Sequence, residues 1–293
     1  MNDNKLKLQI GTCSWKYDSW RGMVYSNERE INFLKEYAQR YTSVEVDQWF
    51  WSLHSHTSVS MPREKDVNDY ASSVPDDFRF TIKVPNSITL THFYKKKNDL
   101  ELVPNPYFLS DKLFSDFLDS IAPLKKYTGV LIFQFEYLNK QKMPHQDAFM
   151  GAFGEFAGKI PREIKTGVEI RNPNYLNSKF FSFLDEIKAV PVFLQGYYMP
   201  PVFPLLESAL KYNFDTMVIR LHGPNRAEIE EKTGGKWDSV TDPKTEELKK
   251  LTAFINNNIS RKLDLYLNVN NHYEGSAPLT INRINDLLEG KEL

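Results

Sequence analysis

The chain has a single cysteine, Cys13, which excludes an internal disulfide framework and any zinc cage built from thiolates. It also lacks an excess of charge. With 37 basic residues against 38 acidic ones, nothing draws the whole surface toward nucleic acid or an anionic membrane. No apolar run approaches the ~20 residues that cross a bilayer. The opening residues, MNDNKLKLQIG, lack the apolar centre of a secretory signal. Together these absences predict a reduced, cytoplasmic setting with no membrane partner. The short catalytic and phosphate motifs are missing as well: there is no G-x-G-x-x-G, no Walker loop, no H-E-x-x-H and no G-x-S-x-G. With no low-complexity linker and no repeat, residues 1–293 are read as one domain.

What is present is alternation. Eight short β-rich runs, at 8–15, 43–50, 79–85, 129–135, 165–171, 189–196, 216–223 and 263–271, are separated by segments of helical character. Helices are expected over 28–41, over 110–124 behind a Ser110/Asp111 cap signal, and over 242–258 behind Asp242-Pro243. Strands alternating with helices imply βαβ units and a parallel sheet. Eight such units predict an α/β fold, a single (β/α)₈ TIM barrel, whose usual size is about 250 residues. Long connections follow the third strand (86–108) and the seventh (223–240). An open doubly wound sheet is the alternative, but GTCSWKYDSW after the first strand is not its glycine-rich phosphate turn.

Residues two apart on a strand share a face. If Val44 and Val46 pack on helices, Glu45 and Asp47 point inward, and the same reasoning turns Thr81 and Lys83, Glu169 and Arg171, and Arg220 and His222 inward. Ile132, Gln134 and Glu136, with Tyr266, Asn268 and Asn270, complete the set. Buried charges must be paired or meet a ligand or water. They gather toward the C-terminal ends of the runs, where barrel active sites are built. Two readings follow: a ligand pocket, which we favour, or a network that cross-links the barrel. Within the long connections, Lys95–Lys97 form a basic run, while Gly234–Gly235 read as a hinge with Trp237 as an apolar lid contact.

The ordered series GTCSWKYDSWRG, YTSVEVDQWFW, FRFTIKVPNSITLTH, VLIFQF, GVEIRNPNY, IRLHG and LYLNVNNHYEGSAP resembles the YecE-like proteins, a domain of unknown function with a TIM-barrel fold. The resemblance runs from about residue 8 to about 280. It implies places in family motifs for Gly11–Tyr17, Trp20, Glu45, Lys83, His92, Glu169, Arg171, Arg220, His222, Gly223, Asn270 and Asn271. Asp47 stands where the family has Asn, Asn172 where it has His, and Phe135-Glu136-Tyr137 where it has a proline pair. The resemblance implies no reaction.

Three chemical readings compete. In the first, an enzyme or binding protein takes a small phosphate- or carboxylate-bearing ligand. Glu45, Glu169 and His222 are its acid–base candidates, and Asp47, Lys83, His92, Arg171, Arg220 and Asn270 are its ligand-binding candidates. In the second, a metal-assisted phosphodiesterase uses Glu45, Asp47, Glu169 and His222 as ligands; this is the minority reading, because the sequence itself requires no cofactor. His54 and His56 make an H-x-H read as surface residues. In the third, Trp15, Trp20, Trp49, Trp51 and the 95–97 lysines stack and bind nucleic acid, although Trp49 and Trp51 are expected to pack under the next loop. Cys13, with no partner at a diagnostic spacing, is read as a small buried residue rather than a nucleophile.

Overall fold

The β-branched and aromatic runs form eight parallel strands in the computed structural model, which describes residues 5–94 and 101–293. They are β1 (Lys7–Thr12), β2 (Ser43–Val46), β3 (Arg79–Lys83), β4 (Thr128–Phe135), β5 (Thr166–Ile170), β6 (Val190–Gly196), β7 (Thr216–Gly223) and β8 (Asp264–Val269). Their order is β1-β8-β7-β6-β5-β4-β3-β2, closed into a barrel, as the alternation predicts. A two-stranded hairpin, Leu53–Ser55 with Ser58–Val59, stands apart from the barrel and carries His54 and His56, both exposed. Among the described residues no helix is long and apolar enough to cross a membrane.

Several elements differ from expectation for local reasons. The helix expected over 28–41 is only Phe33–Tyr37: the Asn32 side chain accepts from the Lys35 N–H and starts the helix there. The run at 43–50 leaves the sheet after Val46, where a turn closes from the Phe50 N–H to the Asp47 carbonyl. The connection 223–240 contains a helix, Arg226–Thr233, capped by Asn225. It buries only Ile229, so it shows no apolar stripe to read. The helix expected over 110–124 forms as Asp111–Ser120 with Ser110 as its cap. The helix expected over 242–258 forms as Thr245–Asn257. Lys95–Lys97 lie outside the described residues.

The chain divides into two compact units. The first comprises Met1–Glu45, Ser73–Phe80 and Pro191–Leu293; the second comprises Val46–Ser72 and Thr81–Val190. The second unit has an aromatic core. On β4, Phe133 meets Phe114, Phe153 and Phe156 at 5.3–5.7 Å between ring centroids, and Phe135 meets Phe149 edge-on at 4.8 Å. These rings stand on the face opposite Ile132 and Gln134.

In the first unit, register decides which polar groups meet. Gly11 pairs with Asn268 on β8 and with Ser43 on β2, and Asn268 pairs with Arg220 on β7. Two residues further along those chains come Cys13, Asn270, Glu45 and His222, which occupy the next level. The close approach of β1 to β2 requires a glycine. A Cβ on Gly11 would sit 1.8 Å from the Ser43 carbonyl oxygen and 3.0 Å from the Tyr37 hydroxyl. Tyr37, fully buried, ties the same two strands by donating to Ser43 O at 3.0 Å and accepting from the Thr12 N–H at 2.8 Å. Burial drives its phenol pKa well above the usual value. Gly11→Ala is therefore expected to cost about 3 kcal/mol or more, the upper end for overpacking, because the obstructing atom is backbone. Urea unfolding checks this; a loss within 0.5 kcal/mol of wild type would contradict the packing account.

Candidate functional site

In the first unit, the inward charges of β2 and β7 find each other. Arg220 and Glu45 are 1% and 0% exposed and form a two-pronged ion pair, with Nε to Oε2 at 2.7 Å and Nη2 to Oε1 at 2.6 Å. Asn268 Nδ2 also donates to Glu45 Oε2, at 3.1 Å. Both charges are thus balanced away from water, as a buried pair must be. The arginine proposed from sequence to grip an anion has its fork taken by a carboxylate.

His222, at the end of β7, is buried beside this pair. Its Nε2 lies 3.5 Å from Cys13 Sγ and its Nδ1 lies 3.3 Å from the Tyr197 hydroxyl. The tautomer decides the chemistry. With the proton on Nδ1, Nε2 can accept the thiol proton; with the proton on Nε2, Tyr197 donates to Nδ1. Cys13 therefore has the partner that its sequence neighbourhood does not show, brought in from 209 residues away. Nothing in the spacing could have revealed it; only the register of β1, β8 and β7 does. Asn270, half-buried in the turn after β8, accepts from the His272 N–H at 2.9 Å.

Among the described residues, Cys13, Glu45 and His222 form a three-donor group, with one ligand atom from each lying within 4.8 Å of the others. This donor set suits zinc, and its third member is Cys13 rather than the Asp47 or Glu169 of the sequence reading. The difficulty is Glu45, whose oxygens already accept from the Arg220 guanidinium, so a cation would have to compete with a charge in contact.

The second unit has its own polar set. Gln134 and Glu169 are register partners on β4 and β5. Arg171, just past β5, donates from Nε to Glu169 at 2.5 Å and from Nη2 to Gln134 at 3.3 Å. Glu169 is buried, whereas the Arg171 side chain keeps 21% of its surface. Lys83 ends β3 with Nζ 3.8 Å from the centre of the Phe50 ring. Asn172 clamps the segment after β4, donating to Leu138 O at 2.9 Å and accepting from Leu138 N at 2.8 Å. His92 is half-buried in a bridge with Pro104, and its Nδ1 meets Thr91 Oγ1 at 2.9 Å. Desolvation, helped by Lys142 and opposed by Glu136, holds its pKa below the usual imidazole value. Asp47 is half-buried in the turn that ends β2.

The stacking platform of the nucleic-acid reading is much reduced. Trp15, Trp20 and Trp49 are buried. Trp51, expected to pack under the next loop, is instead 65% exposed, with the Phe50 and Tyr94 rings 5.1 and 5.9 Å from its own. Trp237, read as a lid contact, is buried edge-on to His272, with ring centroids 4.9 Å apart.

Glu45→Gln would leave Arg220 buried without its counter-charge, a change that typically costs about 3–5 kcal/mol. Denaturant unfolding should show a loss of that size. A loss below about 1 kcal/mol would mean that the pair is not held as described.

Comparison with known proteins bears on the same residues. Residues 9–293 match a family model described as "Protein of unknown function DUF72". The UPF0759 protein YecE of Escherichia coli K12 is 24% identical over 169 residues, which is 57% of this chain and 50% of that protein; the O157:H7 protein matches equally. The chain thus spans about half the length of the curated relatives it matches. A DUF72 family protein from Enterococcus faecalis V583 superposes with a TM-score of 0.67 at 19% identity, covering 97% of this chain and 96% of the other. One from Thermotoga maritima MSB8 gives 0.64 at 20% identity, covering 96% and 99%. Identities this low carry the fold alone, but the family model spans almost every strand and motif described above. The chain belongs to the DUF72 family of proteins of unknown function, whose YecE-like barrel its sequence motifs anticipate.

Proposed function

We propose that the protein is an enzyme acting on a small phosphate- or carboxylate-bearing molecule, with His222 the proton-transfer candidate of the first unit and Arg171 the anion-binding candidate of the second. The observation that carries this reading is the setting of His222. Both ring nitrogens face a titratable partner, Cys13 on one side and Tyr197 on the other, beside an ion pair with no net charge. Cys13 and Tyr197 give that imidazole a proton partner at each ring nitrogen, the arrangement a proton-transfer group needs. The Glu45–Arg220 pair acts as a positioning device in this reading, not as the acid–base group.

In the second unit, Arg171 and Lys83 at the ends of β5 and β3 support an anionic ligand. Both are fixed by their neighbours, so little side-chain entropy remains to be lost when an anion binds. Arg171 keeps enough surface to meet a ligand. Glu169, in contact with that arginine, is the proton-transfer candidate of the second unit.

A metal-assisted reading has one observation in its favour, the donor group Cys13, Glu45 and His222. Stoichiometric zinc or manganese in protein purified without chelator would move the assignment there; metal-free protein would remove it.

The principal test is thermal protection across a panel of phosphorylated and carboxylated metabolites. At least one should raise Tm by several degrees, and Arg171→Ala should lower its affinity about tenfold or more, the scale of a charge-assisted pair. His222→Gln, in the first unit, should leave that protection unchanged and abolish turnover of any panel compound that wild type converts. No shift across the panel, with Arg171→Ala behaving as wild type, would contradict the proposal.

A further inference from the structure

A cavity of about 160 Å³ opens in the first unit at the C-terminal ends of β6 and β7. Its volume is that of about five waters at roughly 30 Å³ each. Gln195, Tyr197, Lys244, Glu247 and Tyr273 line it, with Gly196 and Gly223 in its wall. That wall is tightly built. Gly196 and Gly223 have φ of 136° and 75°, and a Cβ on Gly196 would lie 2.3 Å from the Gly223 carbonyl oxygen. Tyr197 adopts a left-handed backbone at φ 53°, uncommon for a residue with a side chain and a form of local strain that gathers at functional sites.

The cavity is lined by one carboxylate, Glu247, and one ammonium, Lys244. Glu247 Oε2 accepts from Gln195 Nε2 at 2.8 Å and from the Tyr273 hydroxyl at 2.9 Å. Gln195 is itself fixed, since its Oε1 accepts from the Val202 N–H at 2.9 Å. Two neutral donors thus aim the carboxylate, yet no cation pairs with it among the described residues. The cations nearby are committed elsewhere: Lys244 Nζ lies 2.5 Å from Asp242, and Arg226 lies 2.8 Å from Glu230. Glu247 stands in the first turn of helix Thr245–Asn257, whose dipole offsets part of its charge. That offset explains how the carboxylate is tolerated. It does not explain why two side chains orient it beside an open volume walled by two tyrosines.

We propose that this cavity is a binding site for a small organic cation, a primary ammonium compound of a few heavy atoms. The ammonium meets the Glu247 carboxylate, and the Tyr197 and Tyr273 rings flank the alkyl portion. This site does not rest on the anionic-ligand proposal. It touches the same machinery only through Tyr197, whose hydroxyl reaches His222 Nδ1.

Calorimetric titration of the full chain with 1,4-diaminobutane and with n-butylamine, against n-butanol as the neutral counterpart, tests the site. The amines should bind saturably and the alcohol should not, and Glu247→Gln should weaken amine binding at least tenfold while leaving the fold intact by circular dichroism. Absence of saturable amine binding to wild type, equal binding of the alcohol, or unchanged affinity in Glu247→Gln would overturn the proposal. Should that variant fail to fold, Lys244→Met decides: removing a cation from the wall should tighten amine binding severalfold, and unchanged or weaker binding would contradict the assignment.

Discussion

The pair of charges formed by Glu45 and Arg220 is the constraint on which the polar interior of the first unit depends. Neither side chain reaches water, so each needs the other in a fixed geometry, and the bidentate fork with Asn268 as a third partner supplies it. The pair spans two levels of the register, from Arg220 beside Asn268 and Gly11 up to Glu45 beside Cys13 and His222. The lower level needs glycine at position 11, because only a residue without Cβ lets β1 approach the Ser43 carbonyl. A backbone contact, a charge pair and an imidazole are thereby fixed in sequence.

The second unit repeats the device in a more open form. Glu169 is buried and Arg171 is not, and Gln134 shares the guanidinium. A fully buried pair is poorly placed to receive a ligand, while a partly exposed one can do so without first being assembled. In the proposed function the two arginines therefore have distinct roles: Arg220 positions, and Arg171 meets the ligand. Asn172, standing where the related motif has histidine, holds the segment after β4 through both of its amide atoms, so that departure has a structural purpose here.

The barrel was legible because strand burial leaves a period of two and an apolar run of limited length, both local properties. All eight strands fall where those runs stand, with ends that differ by up to four residues, the largest difference at the turn after Val46. Helix Arg226–Thr233 was not legible because it buries one side chain and is held by its Asn225 cap and by charged pairs along its exposed face. Glu45, Arg220 and His222 could be placed on the inner face from alternation. Which charge pairs with which is a matter of register, however, and register between distant strands leaves no mark in spacing. Cys13 shows this most clearly: its contact with His222 depends on three strands lying in order. The cavity beside Glu247 was equally invisible, since Gln195, Glu247 and Tyr273 belong to separate βα units.

In the proposed function the charges inside this barrel build a site and do not simply fill its core. Replacing both members of the buried pair by apolar residues, Glu45→Leu with Arg220→Met, separates these possibilities, because an apolar pair of similar volume is commonly neutral or stabilising. The measurement is turnover, by this double variant, of a compound that wild type converts. With the buried pair positioning His222, a folded protein of near-normal stability should lose at least tenfold in turnover; undiminished turnover would contradict that role.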